Sequence, residues 1–187
     1  MRIIAGALKG RRLKVPVGQN VRPTTGVIRE AIFGIIALTD DVAFCDMFAG
    51  SGAVGIEALS RGAKNTVFVE NDRVALQFIR ENIAKCNLTE RCTVMPTTAA
   101  LAVQHMTTRG EAFDVIFADP PYTKGVHEEV LALFANKKLL RENGVLIIQH
   151  ASHDSVQNVF SGLFLEQRRK YGKSQLSFYR DYGIEGG

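Results

Sequence analysis

The most constraining feature of this chain is a rhythm. Short apolar runs recur at Val42–Cys45, Thr66–Val69, Cys92–Met95, Val115–Ala118 and Val145–Ile148, each of strand length and rich in Val, Ile and Phe. Between them lie segments with helical spacing: Val54–Leu59, Arg73–Cys86, Ala99–Met106 and Val126–Phe134. In Arg73–Cys86 the spacing puts Val74, Phe78, Ile79 and Ile83 on one stripe. Strands alternating with helices at this interval imply βαβ units and a parallel sheet. Runs that are apolar at every position agree, because a parallel sheet is covered on both faces. The two ends depart from the rhythm. Residues 2–15 read as two short strands around Leu8-Lys9-Gly10. Thr24 or Thr25 is placed to cap a helix through Ile36 that buries Ile28, Ile32, Phe33 and Ile36. Leu163–Lys170 and Gln175–Tyr182 flank Gly172 like antiparallel strands.

Length and composition set the outer bounds. The chain has 187 residues, 46% hydrophobic and 22% charged, so it is globular and long enough for one core that needs no disulfide or metal staple. Its net charge of +4 is unevenly spread. The first 29 positions hold Arg2, Lys9, Arg11, Arg12, Lys14, Arg22 and Arg29 and no acid, a charge of +7, while the remainder sums to −3. A basic arm on a slightly acidic body calls for a polyanionic partner, nucleic acid first. The arm lacks the long apolar face that a membrane would need. Cys45, Cys86 and Cys92 have neither metal nor redox spacing, which suits a reducing cytoplasm. Ile3–Leu8 is too short for a signal sequence and no apolar run reaches bilayer length.

Three of the apolar runs end in an acid: Asp46, Glu70 and Asp119. Ligands of open α/β sheets bind outside the carboxyl ends of the strands, so these acids are expected along one edge. Gly50-Ser51-Gly52-Ala53-Val54-Gly55 fits GxGxxG, follows a strand and opens a helix, and Glu70 lies 20 residues beyond Gly50, at the spacing of a ribose-binding acid. A pyrophosphate at this turn would sit unfavourably beside Asp46. S-adenosylmethionine (SAM) has no phosphate and a net charge of +1, and its carboxylate can meet the turn's N–H groups. Asp46-Met47-Phe48-Ala49-Gly50-Ser51-Gly52 therefore looks like the first motif of a class I methyltransferase, with Glu70 on the ribose hydroxyls.

Asp119-Pro120-Pro121-Tyr122 follows the fourth run. Proline stops the ladder there and stiffens the backbone, so the Asp119 carboxylate and the Pro120 carbonyl are aimed rigidly and Tyr122 offers a flat face. Two acceptors and a π-platform suit a planar exocyclic amine. The tetrapeptide resembles the (D/N/S)PP(Y/F) signature of enzymes that methylate such nitrogens.

Taken together, Arg2-Ile3-Ile4-Ala5-Gly6, Lys9-Gly10-Arg11-Arg12-Leu13, Arg22-Pro23-Thr24-Thr25 with Arg29-Glu30-Ala31-Ile32-Phe33, then Asp46–Ala63, Glu70 and Asp119–Tyr122 resemble the bacterial RsmD family of 16S ribosomal RNA guanine-N2 methyltransferases. The resemblance covers residues 2 to about 150. It implies a Rossmann-like class I methyltransferase: an α/β fold with a mostly parallel seven-stranded sheet, helices on both faces, an antiparallel C-terminal strand and a small N-terminal β-hairpin extension. Residues 1–38 would be the basic extension and 39–187 the SAM-dependent domain. Asp46, Phe48, Ala49, Gly50, Ser51, Gly52, Glu70, Asn71, Thr98 and Ala99 would hold SAM. Asp119, Pro120 and Tyr122 would hold the target base. The family usually has Asp after Arg-Pro-Thr-Thr, where this chain has Gly26. It tends to carry Asp or Asn after the third strand, where the nearest position here is Thr98, a weaker acceptor for the adenine amine.

The expected reaction is methyl transfer to N2 of an unpaired or flipped guanine, in a 30S subunit or an assembly intermediate, by a cytoplasmic monomer without metal. Arg2, Lys9, Arg11, Arg12, Lys14 and Arg22 would hold RNA phosphates. The basic run Arg168, Arg169, Lys170 and Lys173 reads as strand-edge charge, and His105, His127, His150 and His153 lack ligand spacing. A DNA or other RNA exocyclic-amine methyltransferase shares the same motifs, but 187 residues leave no room for a target-recognition domain. A protein glutamine methyltransferase usually has Asn at the first position of the tetrapeptide. A non-enzymatic RNA-binding module would not need the three acids. The arm makes one clear prediction: RNA binding should weaken steeply with added salt in a filter-binding titration, and a salt-independent affinity would remove the arm from the interface.

Overall fold

A computed structural model describes residues 1–15, 25–36, 38–121 and 125–182. The chain forms two compact units, Met1–Thr98 and Ala99–Gly187.

The first unit carries helix α1 (Gly26–Ile35), strand β1 (Ala43–Met47), helix α2 (Ala53–Ser60), strand β2 (Asn65–Glu70), helix α3 (Arg73–Cys86) and strand β3 (Cys92–Pro96). The strands lie in the order β3-β2-β1 and both pairings are parallel, with Asp46 opposite Phe68 and Glu70 opposite Pro96. Thr25 caps α1, its hydroxyl accepting from the Ile28 amide at 3.4 Å. The buried face of α1 is Ile28, Arg29, Ile32 and Phe33, so an arginine joins the expected apolar stripe, while Ile36 is half-buried. Helix α3 is capped by Asp72 and buries Ala75, Leu76, Ile79, Asn82, Ile83 and Cys86. The predicted stripe is corrected at Val74, which is 56% exposed. The face that meets the sheet is rotated toward Ala75 and Asn82, and a polar side chain holds one of its buried positions.

The N-terminal hairpin is present but barely a ladder. One antiparallel bridge joins Arg2 and Arg12, and the Ile3 amide donates to the Arg11 carbonyl at 3.0 Å. The Gly10 and Leu13 amides also cross the hairpin, to the Ile3 and Met1 carbonyls, but the Ile4 and Ala5 amides bond the Glu57 carboxylate and the Leu8 amide the Ser60 hydroxyl, so the pairing does not lengthen into two strands. Ile3 and Leu13 enter the same apolar cluster as Ala53, Ile56, Leu59, Phe68, Ile79 and Ile83. The N-terminal hairpin therefore shares the core that α2, β2 and α3 form.

The second unit carries helix α4 (Ala99–Thr108), strand β4 (Phe113–Ala118), helix α5 (Val126–Phe134) and strands β5 (Leu140–Ala151), β6 (Val159–Phe160), β7 (Leu163–Tyr171) and β8 (Ser174–Asp181). Strand β4 pairs with β5 in parallel; β5-β8-β7-β6 continue antiparallel. The two-residue β6 is one strand more than the sequence marks. Strand β5 is far longer than the apolar run Val145–Ile148, because its first residues bulge past Phe113 and Val115 before the regular register begins. In strand β7 the basic residues Arg168, Arg169 and Lys170 are all exposed.

Under α5 lies a buried polar group. His127 and His150 meet edge to face with ring centroids 4.8 Å apart. His150 Nε2 lies 2.8 Å from the Ser177 hydroxyl, and Tyr179 donates to the Gln157 carbonyl at 2.8 Å. Burial, together with the neighbouring His150, holds His127 at a pKa of about 4, and burial also lowers His150. A histidine kept neutral in the folded state gives stability that is complete above its unfolded pKa near 6.5. That stability is lost as pH falls through that value, because the unfolded chain takes the proton first. Unfolding free energy should therefore drop by about 2 kcal/mol between pH 7 and pH 5 through His127 alone. Urea titrations at the two pH values check this, and His127→Gln should flatten the step.

Candidate active site

The glycine turn is built by backbone twist. Phe48, Gly50 and Gly52 all have positive φ, at 62°, 55° and 76°. Glycine accepts this freely; a phenylalanine there is strained, and such strain collects at working sites. Four fixtures hold the turn in place. The Ala49 amide donates to the Val69 carbonyl at 2.9 Å, and the Gly52 amide to the Ala49 carbonyl at 2.8 Å. The Gly50 amide donates to Glu70 Oε2 at 2.8 Å. The Asn82 side chain donates to the Ser51 carbonyl at 3.0 Å.

Asp46 is buried at the end of β1, with Oδ2 accepting the Gly55 amide of α2 at 2.8 Å. It thus braces α2 from beneath the turn. Glu70 is half-buried at the last position of β2. Its second oxygen accepts the Asn71 and Asp72 amides at 2.8 and 2.9 Å, so one carboxylate joins the glycine turn to the start of α3. Helix α2 can approach the sheet only because Gly55 lacks a side chain: a Cβ there would lie 2.4 Å from Phe68 Cε1 and 2.8 Å from Thr66 Cγ2. The residues fit SAM. The turn region from Asp46 to Ser60 contains no lysine or arginine to meet a pyrophosphate, and the buried Asp46 and half-buried Glu70 carboxylates around the turn give it a negative charge that suits a net-positive ligand. Thr98 is exposed and Ala99 half-buried, at the junction of β3 and α4.

In the second unit, Asp119 directly follows the last residue of β4 and is half-buried, and Pro120 is buried. Tyr122 and Arg22 lie outside the described residues. Among the described residues no group of three or more His, Cys, Asp or Glu is placed to hold a metal ion.

The arm residues Arg2, Lys9, Arg11, Arg12 and Lys14 are all exposed. Arg11 donates to the Lys85 carbonyl at 2.7 Å, Lys85 donates to the Arg12 carbonyl at 2.8 Å, and Lys14 pairs with Glu81 at 2.7 Å. These exposed contacts are weak and leave the cations available to an anion.

Sequence reasoning missed Glu57. It is fully buried in the middle of α2, where its two oxygens accept from the Ile4 and Ala5 amides, each at 2.9 Å, from Arg29 at 3.1 Å and from Arg61 at 2.9 Å. Burial lowers the Arg29 pKa, and the Glu57 charge opposes that shift. Arg29 also donates to the Arg2 carbonyl, and Arg61 lies 5.0 Å from the Phe33 ring centroid. The signal was present: a single acid inside the apolar octet AVGIEALS, beside an arm with no acid of its own.

Parallel strands ending in carboxylates, a pinned glycine turn opening a helix, and an Asp-Pro-Pro run leaving a further strand end define a class I, Rossmann-like methyltransferase. A precorrin-6y C5,15-methyltransferase from Geobacter metallireducens GS-15 has this fold at TM-score 0.66, with 16% identity over 90% of this chain and 94% of that one. The chain belongs to the family described as Conserved hypothetical protein 95, whose profile matches residues 1–180, and the resemblance to the RsmD family is borne out. It is 30% identical over 181 residues to Ribosomal RNA small subunit methyltransferase D of Escherichia coli (strain K12), covering 96% of this chain and 89% of that protein. A hypothetical protein of Thermus thermophilus superposes at TM-score 0.80 with 32% identity, covering 95% and 98% of the two chains.

Two substitutions test the turn. Glu70→Ala removes the acceptor of three amides and should weaken SAM binding by about tenfold or more in calorimetry, as charged hydrogen bonds do. Gly55→Ala should lower the unfolding free energy by about 2 kcal/mol through overpacking against Phe68.

Proposed function

We propose that this chain transfers a methyl group from SAM to the exocyclic N2 of a guanine in 16S ribosomal RNA. The carrying observation is the Asp119-Pro120-Pro121 run at the carboxyl end of β4. In the same family, relatives named ribosomal RNA small subunit methyltransferases supply the RNA class. The substrate is the RNA of a 30S subunit or an assembly intermediate, and the enzyme works in the cytoplasm as a monomer. Residues 1–38 are the RNA-holding extension of a methyltransferase domain spanning 39–187.

When bound, SAM supplies an electrophilic methyl on a sulfonium. The Gly50–Gly52 turn and Glu70 seat the donor, with Phe48, Ala49, Asn71, Thr98 and Ala99 completing its surroundings. Asp46 sets the turn's shape and adds one negative charge beneath it. Asp119 and the Pro120 carbonyl accept the two N–H bonds of the guanine amine, and Tyr122 stacks on the base. These contacts draw the nitrogen toward tetrahedral geometry and free its lone pair, which is otherwise delocalised into the ring. SAM held at this turn would supply the methyl for the new N–C bond as its own S–C bond broke, and would be left as a neutral thioether. Asp119 needs little basicity to receive the surplus proton, because the alkylated nitrogen is strongly acidic. Most of the rate comes from alignment and electrostatics.

Arg2, Lys9, Arg11, Arg12, Lys14 and Arg22 bind phosphates and carry no base specificity. Asp119→Ala should lower methyl transfer to 30S particles by at least about a hundredfold while leaving SAM affinity within a few-fold, as expected for a group that acts in the transition state. Radiolabelled SAM with mass mapping of the guanines reads this out. A variant of near-normal rate, or label on another base, would remove the assignment.

A further inference from the structure

The arm and the cofactor turn meet at one side chain, Asn82 of α3. Its Oδ1 accepts the Lys14 amide at 2.8 Å, and its Nδ2 donates to the Lys14 carbonyl at 2.8 Å and to the Ser51 carbonyl at 3.0 Å. The carboxamide thus closes a two-way pair with the main chain of the arm, as a neighbouring strand would, and spends its remaining hydrogen on the glycine turn. The flipped amide would set its NH₂ against an N–H and its oxygen against two carbonyls, so only this orientation satisfies all three groups. Asn82 has no exposed surface, so water cannot replace a lost partner, and an unmade bond there is costly.

We infer that Asn82 is a positioning residue that couples occupancy of the cofactor turn to seating of the RNA arm. The inference rests on the functional reading above. The physical cause is shared ordering. A ligand that fixes the Ser51 carbonyl fixes the rotamer of Asn82, and that rotamer is the one that bonds Lys14. A second ligand then meets a Lys14 main chain that the first has stiffened, and its binding costs less entropy. Such linkage is reciprocal: whatever factor the cofactor gives to RNA affinity, RNA gives to cofactor affinity. Its sign favours RNA capture by the loaded enzyme and release after the donor has been spent and has left.

Glu57 does not serve this role. It holds Ile4, Ala5, Arg29 and Arg61, and those four residues all lie outside the turn. Asn82, by contrast, bonds both the arm and Ser51 of the turn.

The test measures RNA and S-adenosylhomocysteine affinities separately and together, with a 16S ribosomal RNA transcript at low salt, for the wild type and for Asn82→Ala and Asn82→Asp. In the wild type, S-adenosylhomocysteine should tighten RNA binding about tenfold, within the usual range of coupling, and RNA should tighten S-adenosylhomocysteine by the same factor. In both variants each ligand should still bind and the factor should fall to about one. A residue that merely supports the fold would weaken both affinities and leave their ratio intact. Amide exchange supplies a readout that needs no variant to fold: S-adenosylhomocysteine should slow exchange at the Lys14 amide of the wild type. Variants that keep the wild-type factor overturn the proposal. So does a wild type that binds both ligands without mutual effect, or an unchanged Lys14 amide. A wild type that binds neither ligand defeats the functional reading itself, and the coupling with it.

Discussion

Helix α2 lies against β2 at a distance only a glycine permits, and much else in the first unit follows from that approach. Phe68 fills the space where a Gly55 side chain would stand. With α2 held this close, Asp46 reaches the Gly55 amide and the chain between them is short enough that Phe48, Gly50 and Gly52 must all turn left-handed. The same seating presents Glu57 and Ser60 to the N-terminal residues. The Ser60 carbonyl lies so near Gly6 that a Cβ there would sit 1.8 Å away. One short helix thus carries the glycine turn at its start and the anchor of the arm along its side.

The anchor is electrostatic as well as steric. Glu57 is buried with four donors around it, two of them arginines. Such a carboxylate is tolerable only with every lone pair engaged, and removing it would strand Arg29, whose guanidinium is itself buried. Seven cations within 29 residues would repel one another in a free peptide. Here one of them, Arg29, is drawn inward to Glu57, and the rest of the described set faces solvent, where phosphates can reach them. The arm gains a fixed shape from the body and adds charge to it.

Both units are legible in the sequence wherever a local rule governs. Arg73–Cys86 and Val126–Phe134 are helices at the expected bounds, β2 ends at Glu70, β1 ends one residue beyond Asp46, and Asp119 directly follows β4. The acids and the glycine turn stand out because strand-to-helix turns with such residues have few alternatives. Illegible were the partners of those acids. Nothing in the spacing says that Glu70 would bond the Gly50 amide, or that Asn82, an ordinary polar residue in a helix, would be buried beneath Ser51. Val74 misled for the same reason: periodicity gives a stripe, but the face that turns inward depends on what lies opposite.

By itself, then, the chain's order of residues settles the βαβ rhythm, the places where strands end, the acids and prolines set there, and the polarity of the arm. Each of these depends on backbone preference or on charge along a few consecutive positions. Tertiary structure alone decides which amides the carboxylates take, which cation is hidden, and that Lys14 and Ser51 share one amide side chain across 68 and 31 positions. Buried hydrogen bonds are chosen by proximity in space, after water has been excluded, and no local pattern can encode who the neighbour will be.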